Sequence, residues 1–449
     1  MDKFSQPQDR DEAVYRPIFD TSLKFYVVAG ILFLIVAWAL AVWAYQIYKG
    51  LGVTGLGRPV YWGTYITNFV FFVGISHAGT LISAILRVTK AAWRRPITRA
   101  AEAITVFALM VGPINIIIDL GRVDRMLNIF TFGRWQSPLL WDTMSIGTYF
   151  VGSIIYLYLP LIPDIAGVRD RIPLTDWRRR IYEILSLGWT GTALQKKRLS
   201  RAIGIMAIFI IPLAISVHTV VSWVFAMTLQ PGWHASIFGP YFVMGAIYSG
   251  IASLIIAMVI LRKVYHLEKY LKPVHFNNLG LLLLTFTLLW LYFTGSEIIT
   301  TFYGNEPSEV AVLHAKFWGQ FKWVYWIMLF FAFFIPFVIL AFRKFRTITG
   351  CLIASILINI GMWIERFTIV VPTLSNPFLS WDSVIYTPSW AEISITAGLF
   401  AGLALLYVLF SKIFPIVSLW EIREGEEEEE EKLKHLSESI AQSGHAAKV

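Results

Sequence analysis

Apolar residues run along this chain in long stretches of about twenty residues or more, separated by polar connections rich in Gly and Pro. Within each stretch the hydrophobic positions go round most of the circumference. Helices enclosed by lipid or by other helices have this pattern. Ten stretches are long enough to cross a hydrocarbon core: 24–48, 60–87, 100–121, 138–163, 203–228, 241–262, 279–302, 323–342, 351–372 and 391–415. They predict an all-α, polytopic membrane domain over 24–415, between a polar N-terminal segment (1–23) and an acidic tail (416–449).

Composition agrees with this picture. Of 449 residues, 57% are hydrophobic and 15% charged, and mean hydropathy is +0.63, values a soluble domain rarely reaches. The formal net charge of +9 does not imply nucleic-acid binding, because the cations sit between apolar stretches. Alternate connections hold 21 Lys and Arg, against 7 in the opposite set. By the positive-inside rule both termini are then cytoplasmic and the lightly charged connections face outward. The first 22 residues lack the basic start, short apolar run and cleavage site of a signal peptide, so the first span is expected to serve as an uncleaved insertion signal. The outer connections LQPGWHASIFGP (229–240) and NPFLSWDSVIYTPSW (376–390) read as interfacial caps or as a docking face for a peripheral subunit. The run Glu426–Glu431 reads as solvated tail.

Ionisable residues inside apolar spans are costly and usually face the protein interior. Asp119, Asp142, His218, Glu297, Glu365 and Arg366 fall toward the outer ends of their spans, and His77 lies deeper. Each has a structural alternative. Asp119 and Arg122 are spaced i, i+3 and could pair at a helix end. Asp142 could be an interfacial carboxylate. His77 and His218 could bond backbone carbonyls, Glu365 and Arg366 could form a buried ion pair, and Glu297 could be structural. Together they suit a lipid-soluble ligand that exchanges protons. A quinol hydroxyl needs an acceptor for its proton, and a carboxylate or neutral imidazole provides one. His77 and His218 sit on different spans and could in principle ligate haem, but their expected depths differ. The lone Cys351 cannot hold an iron–sulfur cluster, which needs four thiolates. Among recognisable motifs, neither a phosphate-binding Gly-rich loop nor a zinc spacing occurs. His266, His275, His314, His435 and His445 are expected in loops or the tail.

The segments ITNFVFFVGISHAGTLISAILR (66–87), SPLLWDTMSIGTYF (137–150), LIPDIAGVRDR (161–171), SVHTVVSWVFAMTLQPGWHASIFGPYFVMGAIYSG (216–250) and NIGMWIERFTIVVPTL (359–374) resemble the NrfD-like, or polysulfide reductase membrane subunit, family. Within it, they are most similar to the quinol-oxidising membrane subunit of bacterial alternative complex III. The resemblance implies two four-helix bundles, spans 2–5 and 6–9, with spans 1 and 10 outside them, in a bacterial inner membrane. It implies a quinone, menaquinone or ubiquinone, bound near the outer face, without haem or an iron–sulfur cluster in this chain. The implied partners are a ferredoxin-like iron–sulfur subunit, cytochrome c subunits and a second NrfD-like subunit. Asp119, Arg122, Asp142 and His77 are the expected quinone contacts, with Asp119, Asp142, His77 and His218 exchanging protons and His77, Glu297, Glu365 and Arg366 on a proton route. Relatives in alternative complex III usually carry His where this chain has Asp119. Two rivals remain: quinone reduction as the anchor of a hydrogenase or sulfur-compound oxidoreductase, and a quinone-free structural anchor.

Overall fold

A computed structural model describes residues 12–171, 176–378, 385–427, 429–430 and 433–434. The first eleven residues, part of the outer connection (379–384) and the end of the tail lie outside the described residues. Among the described residues, ten helices are long and apolar enough to cross a membrane. They are α1 (Leu23–Lys49), α2 (Thr64–Val88), α3 (Thr98–Asp119), α4 (Pro138–Arg171), α5 (Ala193–Ala226), α6 (Phe238–Val264), α7 (Pro273–Gly304), α8 (Lys322–Ala341), α9 (Ile348–Ser375) and α10 (Trp390–Ile413). This is the all-α polytopic architecture expected from the apolar pattern.

Several helices extend past the apolar limits, because charged residues lower hydropathy without breaking a helix. α5 begins ten residues before its apolar run, at a capping box in which Thr192 and Gln195 bond each other's backbone N–H. His275, expected in a loop, lies in the first turn of α7, where its Nδ1 accepts the Lys272 backbone N–H at 2.9 Å. His314 lies on a short helix, Pro307–Phe317.

α2 is the hub. It packs on α3 and α5 in one bundle with α4, and on α6 and α9 of a second bundle that includes α7 and α8. α1 and α10 pair with each other beside the first bundle. Small residues permit the closest approaches, as in many membrane bundles. A Cβ on Gly79 would collide with the Ala101 carbonyl of α3. One on Gly361 would lie 2.6 Å from the Ala332 nitrogen of α8. At that point α8 makes a π-turn, Phe330–Phe334, and the Ala332 carbonyl accepts the Tyr248 hydroxyl at 2.6 Å.

The chain after α10 folds back under the first bundle. Ile416, Val417 and Leu419 are buried, and Glu421 reaches Arg87, Arg94 and Thr98. Arg99 is also fully buried, bonding Asp164 at 2.7 Å and the carbonyls of Pro160 and Pro415. Several cations that the sequence places in a connection are therefore interior ties at the basic end of the bundle.

Candidate functional site

Asp119 is the last residue of α3, at the lightly charged end of the molecule. Its Oδ1 is sealed from solvent and has no hydrogen-bond partner. Arg122 does not pair with it. The guanidinium turns outward and chelates Asp124 at 2.9 and 2.7 Å, with both side chains more than half exposed. Asp142, in the second turn of α4, is 5% exposed and also has an unpartnered Oδ1. No hydrogen bond or ion pair joins the two aspartates among the described residues.

A polar cluster surrounds Asp119 that sequence reasoning missed. The Gln46 amide of α1 donates to the Ile118 carbonyl at 3.2 Å, and Tyr65 donates to Gln46 Oε1 at 2.6 Å. Glu392 opens α10 fully buried and accepts the backbone N–H groups of Gly55 (2.7 Å) and Ser389 (2.9 Å), as well as a short bond from the Tyr386 hydroxyl. Tyr386 also accepts the Thr64 N–H at 3.0 Å. Tyr386, Glu392 and Asp119 all lie within electrostatic range of Tyr65. The one local signal was Ser389-x-x-Glu392, a capping box that marks the start of a helix.

His77 and His218 meet in the core of the first bundle. Their ring centroids are 3.9 Å apart, closer than their positions along α2 and α5 suggest. His77 Nδ1 lies 2.7 Å from the Val73 carbonyl and Nε2 2.6 Å from the Ala214 carbonyl. Only the imidazolium donates at both nitrogens; the neutral ring satisfies one. Both nitrogens of His218 are buried without partners. Two rings in direct contact, one of them bonded to backbone on both sides, are not arranged as a pair of haem ligands.

From here a polar seam follows the inner face of α4. Asp142, Tyr149, Ser153, Tyr156 and Asp164 are all buried and recur at helical spacing over about 33 Å. Tyr149 packs 4.9 Å from His77 and donates to the Ser76 carbonyl at 3.1 Å. Thr105 donates to the same carbonyl at 2.7 Å. Nearer the basic end, Ser83 donates to Glu102 Oε1 at 2.8 Å and lies 3.5 Å from the Tyr156 hydroxyl. Glu102 Oε2 is buried and unpartnered. Titratable groups thus run from Asp142 to Glu102 and Asp164 inside one bundle.

The remaining candidates belong to the second bundle. Arg366 Nη1 is 3.1 Å from Glu365 Oε2, both about 1% exposed, but without hydrogen-bond alignment, so charge holds this pair. Arg366 also lies over the Phe242 ring at 5.0 Å. Glu297 lines a separate small pocket with Tyr241, Glu309 and Lys316. Between the bundles, α2, α6 and α10 border an open apolar cavity of about 370 Å³, walled by Phe71, Ile75, Phe400 and Leu403. Ser253 and Asn359 are among its few polar linings.

Residues 52–376, which include α2 through α9, match the family model described as polysulphide reductase, NrfD. The chain belongs to the NrfD family. The matched region holds both four-helix bundles, while α10 and the folded-back tail lie beyond it. A putative membrane subunit of a dimethyl sulfoxide reductase from Halobacterium salinarum is 28% identical over 56% of this chain and 55% of that relative's own length. An Hdr-like menaquinol oxidoreductase integral membrane subunit of Archaeoglobus fulgidus is 22% identical over 92% of this chain and 99% of its own. The integral membrane subunit of a menaquinone reductase from Nitratidesulfovibrio vulgaris is 24% identical over 88% and 92%.

Proposed function

We propose that this NrfD-family chain is the quinone-interacting membrane subunit of an electron-transfer complex. It oxidises a quinol near its lightly charged end and hands two electrons to an iron–sulfur partner docked there. The observation that carries this reading is the half-buried Asp119 and the buried Asp142, on the walls of one bundle, each with a sealed oxygen left without a partner. Buried polar atoms are rarely left unsatisfied, and such an atom is suited to a ligand's hydroxyl. The names of two relatives, a menaquinol oxidoreductase subunit and a menaquinone reductase subunit, support a quinone as substrate.

On oxidation each quinol hydroxyl releases a proton. Asp142 accepts one and Asp119 the other, while Tyr65 and Gln46 fix the wall beside Asp119. The seam through Tyr149, His77, Ser83 and Glu102 gives protons a route along the bundle, with Glu365, Arg366 and Glu297 a second route. The basic end is cytoplasmic, so the quinone site faces outward in a bacterial inner membrane. Alternative complex III, with its cytochrome c subunits and second NrfD-like subunit, is the assembly we favour. The name of the Nitratidesulfovibrio relative favours the reverse direction as a second reading.

Asp142→Asn in the assembled complex tests the assignment. Asn keeps the volume and cannot take a proton, so quinol-dependent electron transfer should fall by about 10²-fold or more, with KM little changed. Turnover at the wild-type rate removes Asp142 from the site.

A further inference from the structure

The quinone site leaves one surface at the basic end unused. The short helix Asp176–Leu185 is fixed to the bundle from its inner side. Tyr182 is buried and donates to the Ile413 carbonyl at 2.6 Å, and Tyr158 of α4 donates to the Leu185 carbonyl at 2.6 Å. Arg169 binds the turn that follows, at Ser186 Oγ (2.8 Å) and the Trp189 carbonyl (3.0 Å). The opposite side is apolar and bare. Trp177, Ile181 and Ile184 recur at i, i+4, i+7 and are 67%, 43% and 65% exposed.

The start of α5 completes the surface. Leu194, Lys197, Arg198 and Arg201 share one exposed face, and the same face continues through Ile205, Ile208 and Phe209, all exposed. Lys196 pairs with Glu427 at 2.9 Å and Arg179 with Glu183 at 3.2 Å. Lys197, Arg198 and Arg201 have no acidic partner among the described residues. Gly152 of α4 faces Ile210 and Leu213 of the antiparallel α5. Six residues further along α4, Tyr158 is then level with about residue 205 of α5. The carbonyl that Tyr158 holds therefore lies at the depth of Ile205, one turn from Arg201. Trp189 of the connecting turn and Lys196 of α5 both reach Trp420, at 5.5 and 5.9 Å.

We infer that this surface binds an anionic phospholipid. Its phosphodiester sits on Lys197, Arg198 and Arg201, its acyl chains lie along Ile205, Ile208 and Phe209, and the helix Asp176–Leu185 forms the neighbouring wall. Three unpaired cations at the end of a lipid-facing apolar stripe match a headgroup with net negative charge. A zwitterionic headgroup adds an ammonium that meets the same cations. The Trp and Ile face suits a helix lying in the interface plane. The site is independent of quinone chemistry.

Native mass spectrometry of the full-length chain in detergent tests it, with phosphatidylglycerol and phosphatidylcholine of matched acyl chains as probes and glycerol phosphate as a tail-free control. The wild type should retain phosphatidylglycerol in preference to phosphatidylcholine and bind glycerol phosphate negligibly. The triple variant Lys197→Gln, Arg198→Gln, Arg201→Gln should lose about a hundredfold in phosphatidylglycerol affinity, and Arg198→Lys should keep it. Should the triple variant fail to fold, Arg198→Gln alone should lose about fivefold. Equal retention of the two lipids overturns the site, as expected if the cations serve an acidic protein partner instead. Unchanged phosphatidylglycerol binding in the variants overturns it too.

Discussion

Glu421 holds the folded-back tail to the base of the first bundle, and Glu421→Gln measures how strongly. The carboxylate accepts from Arg87 Nη1 at 2.6 Å, Arg94 Nη1 at 2.9 Å and Thr98 Oγ1 at 2.8 Å, with only 3% of the side chain exposed. Gln has one acceptor oxygen for two guanidinium groups, and its amide presents a donor to the other. Hydrogen bonds to charged groups contribute about 1.5–3 kcal/mol each, so losing one should cost the tail about 2–3 kcal/mol. Breaking a buried pair outright costs about 3–5 kcal/mol, the range expected for Glu421→Ala. Ten packed spans need not unfold when the tail opens, so global melting is the wrong assay. Hydrogen–deuterium exchange of the peptide covering residues 414–427 reads the opening directly and should rise about 30- to 150-fold in Glu421→Gln. Burial pushes the Glu421 carboxyl upward, but Arg94, Arg87 and Thr98 outweigh it, and the net pKa lies below the ordinary glutamate value of 4.5. Since the folded pKa is depressed, the stabilisation is complete above the unfolded value and disappears as pH falls through the folded one. Exchange corrected for its intrinsic pH dependence should be flat between about pH 7 and 5 and rise below about 4.5. Unchanged exchange in Glu421→Gln would mean that apolar contacts of Ile416, Val417 and Leu419 hold the tail without the ionic cluster.

Asp119→Asn should reduce quinol turnover by about 10²-fold in the assembled complex, whereas Arg122→Gln should leave it within about twofold, because that guanidinium faces solvent and Asp124. Equal losses in both would show that exposure does not separate their roles. His77→Gln keeps one carbonyl bond and removes the ring that can donate to two, so turnover should become proton-limited, with a solvent deuterium isotope effect larger than wild type. An unchanged isotope effect places His77 among purely structural ties between α2 and α5. Tyr248→Phe removes the donor to the Ala332 carbonyl at the π-turn and should destabilise the second bundle by about 1–3 kcal/mol, read as faster exchange in α8 while quinol turnover stays near wild type. Lost turnover with unaltered α8 exchange would move functional weight to the second bundle.

The spans were legible in the sequence because burial in lipid and burial in protein both demand apolar residues, whichever way a helix faces. Depth was legible in outline too, since a helix rises a fixed distance per residue. Direction around the helix axis was not. His77 and His218 were placed at different depths along their own spans, yet the offset ends of α2 and α5 bring the rings together. Arg99 and Asp164 looked like charges in connections, but helix extensions carried both indoors, where each satisfies the other. Glu392 draws no attention in the sequence, and its distant partners Gly55 and Tyr386 could not be found from local spacing. The charged residues that seemed to converge at one depth in fact divide between two bundles, and the division bears on function. Asp119, Asp142 and Glu365 all have oxygens without hydrogen-bond partners, but Glu365 has the charge of Arg366 beside it at 3.1 Å, whereas no ion pair joins Asp119 or Asp142 among the described residues. A carboxyl whose charge is already compensated gains little from a ligand's hydroxyl, and one left incomplete in a low-dielectric interior gains a great deal. That difference, more than the number of ionisable residues, is why we propose the quinol site in the first bundle.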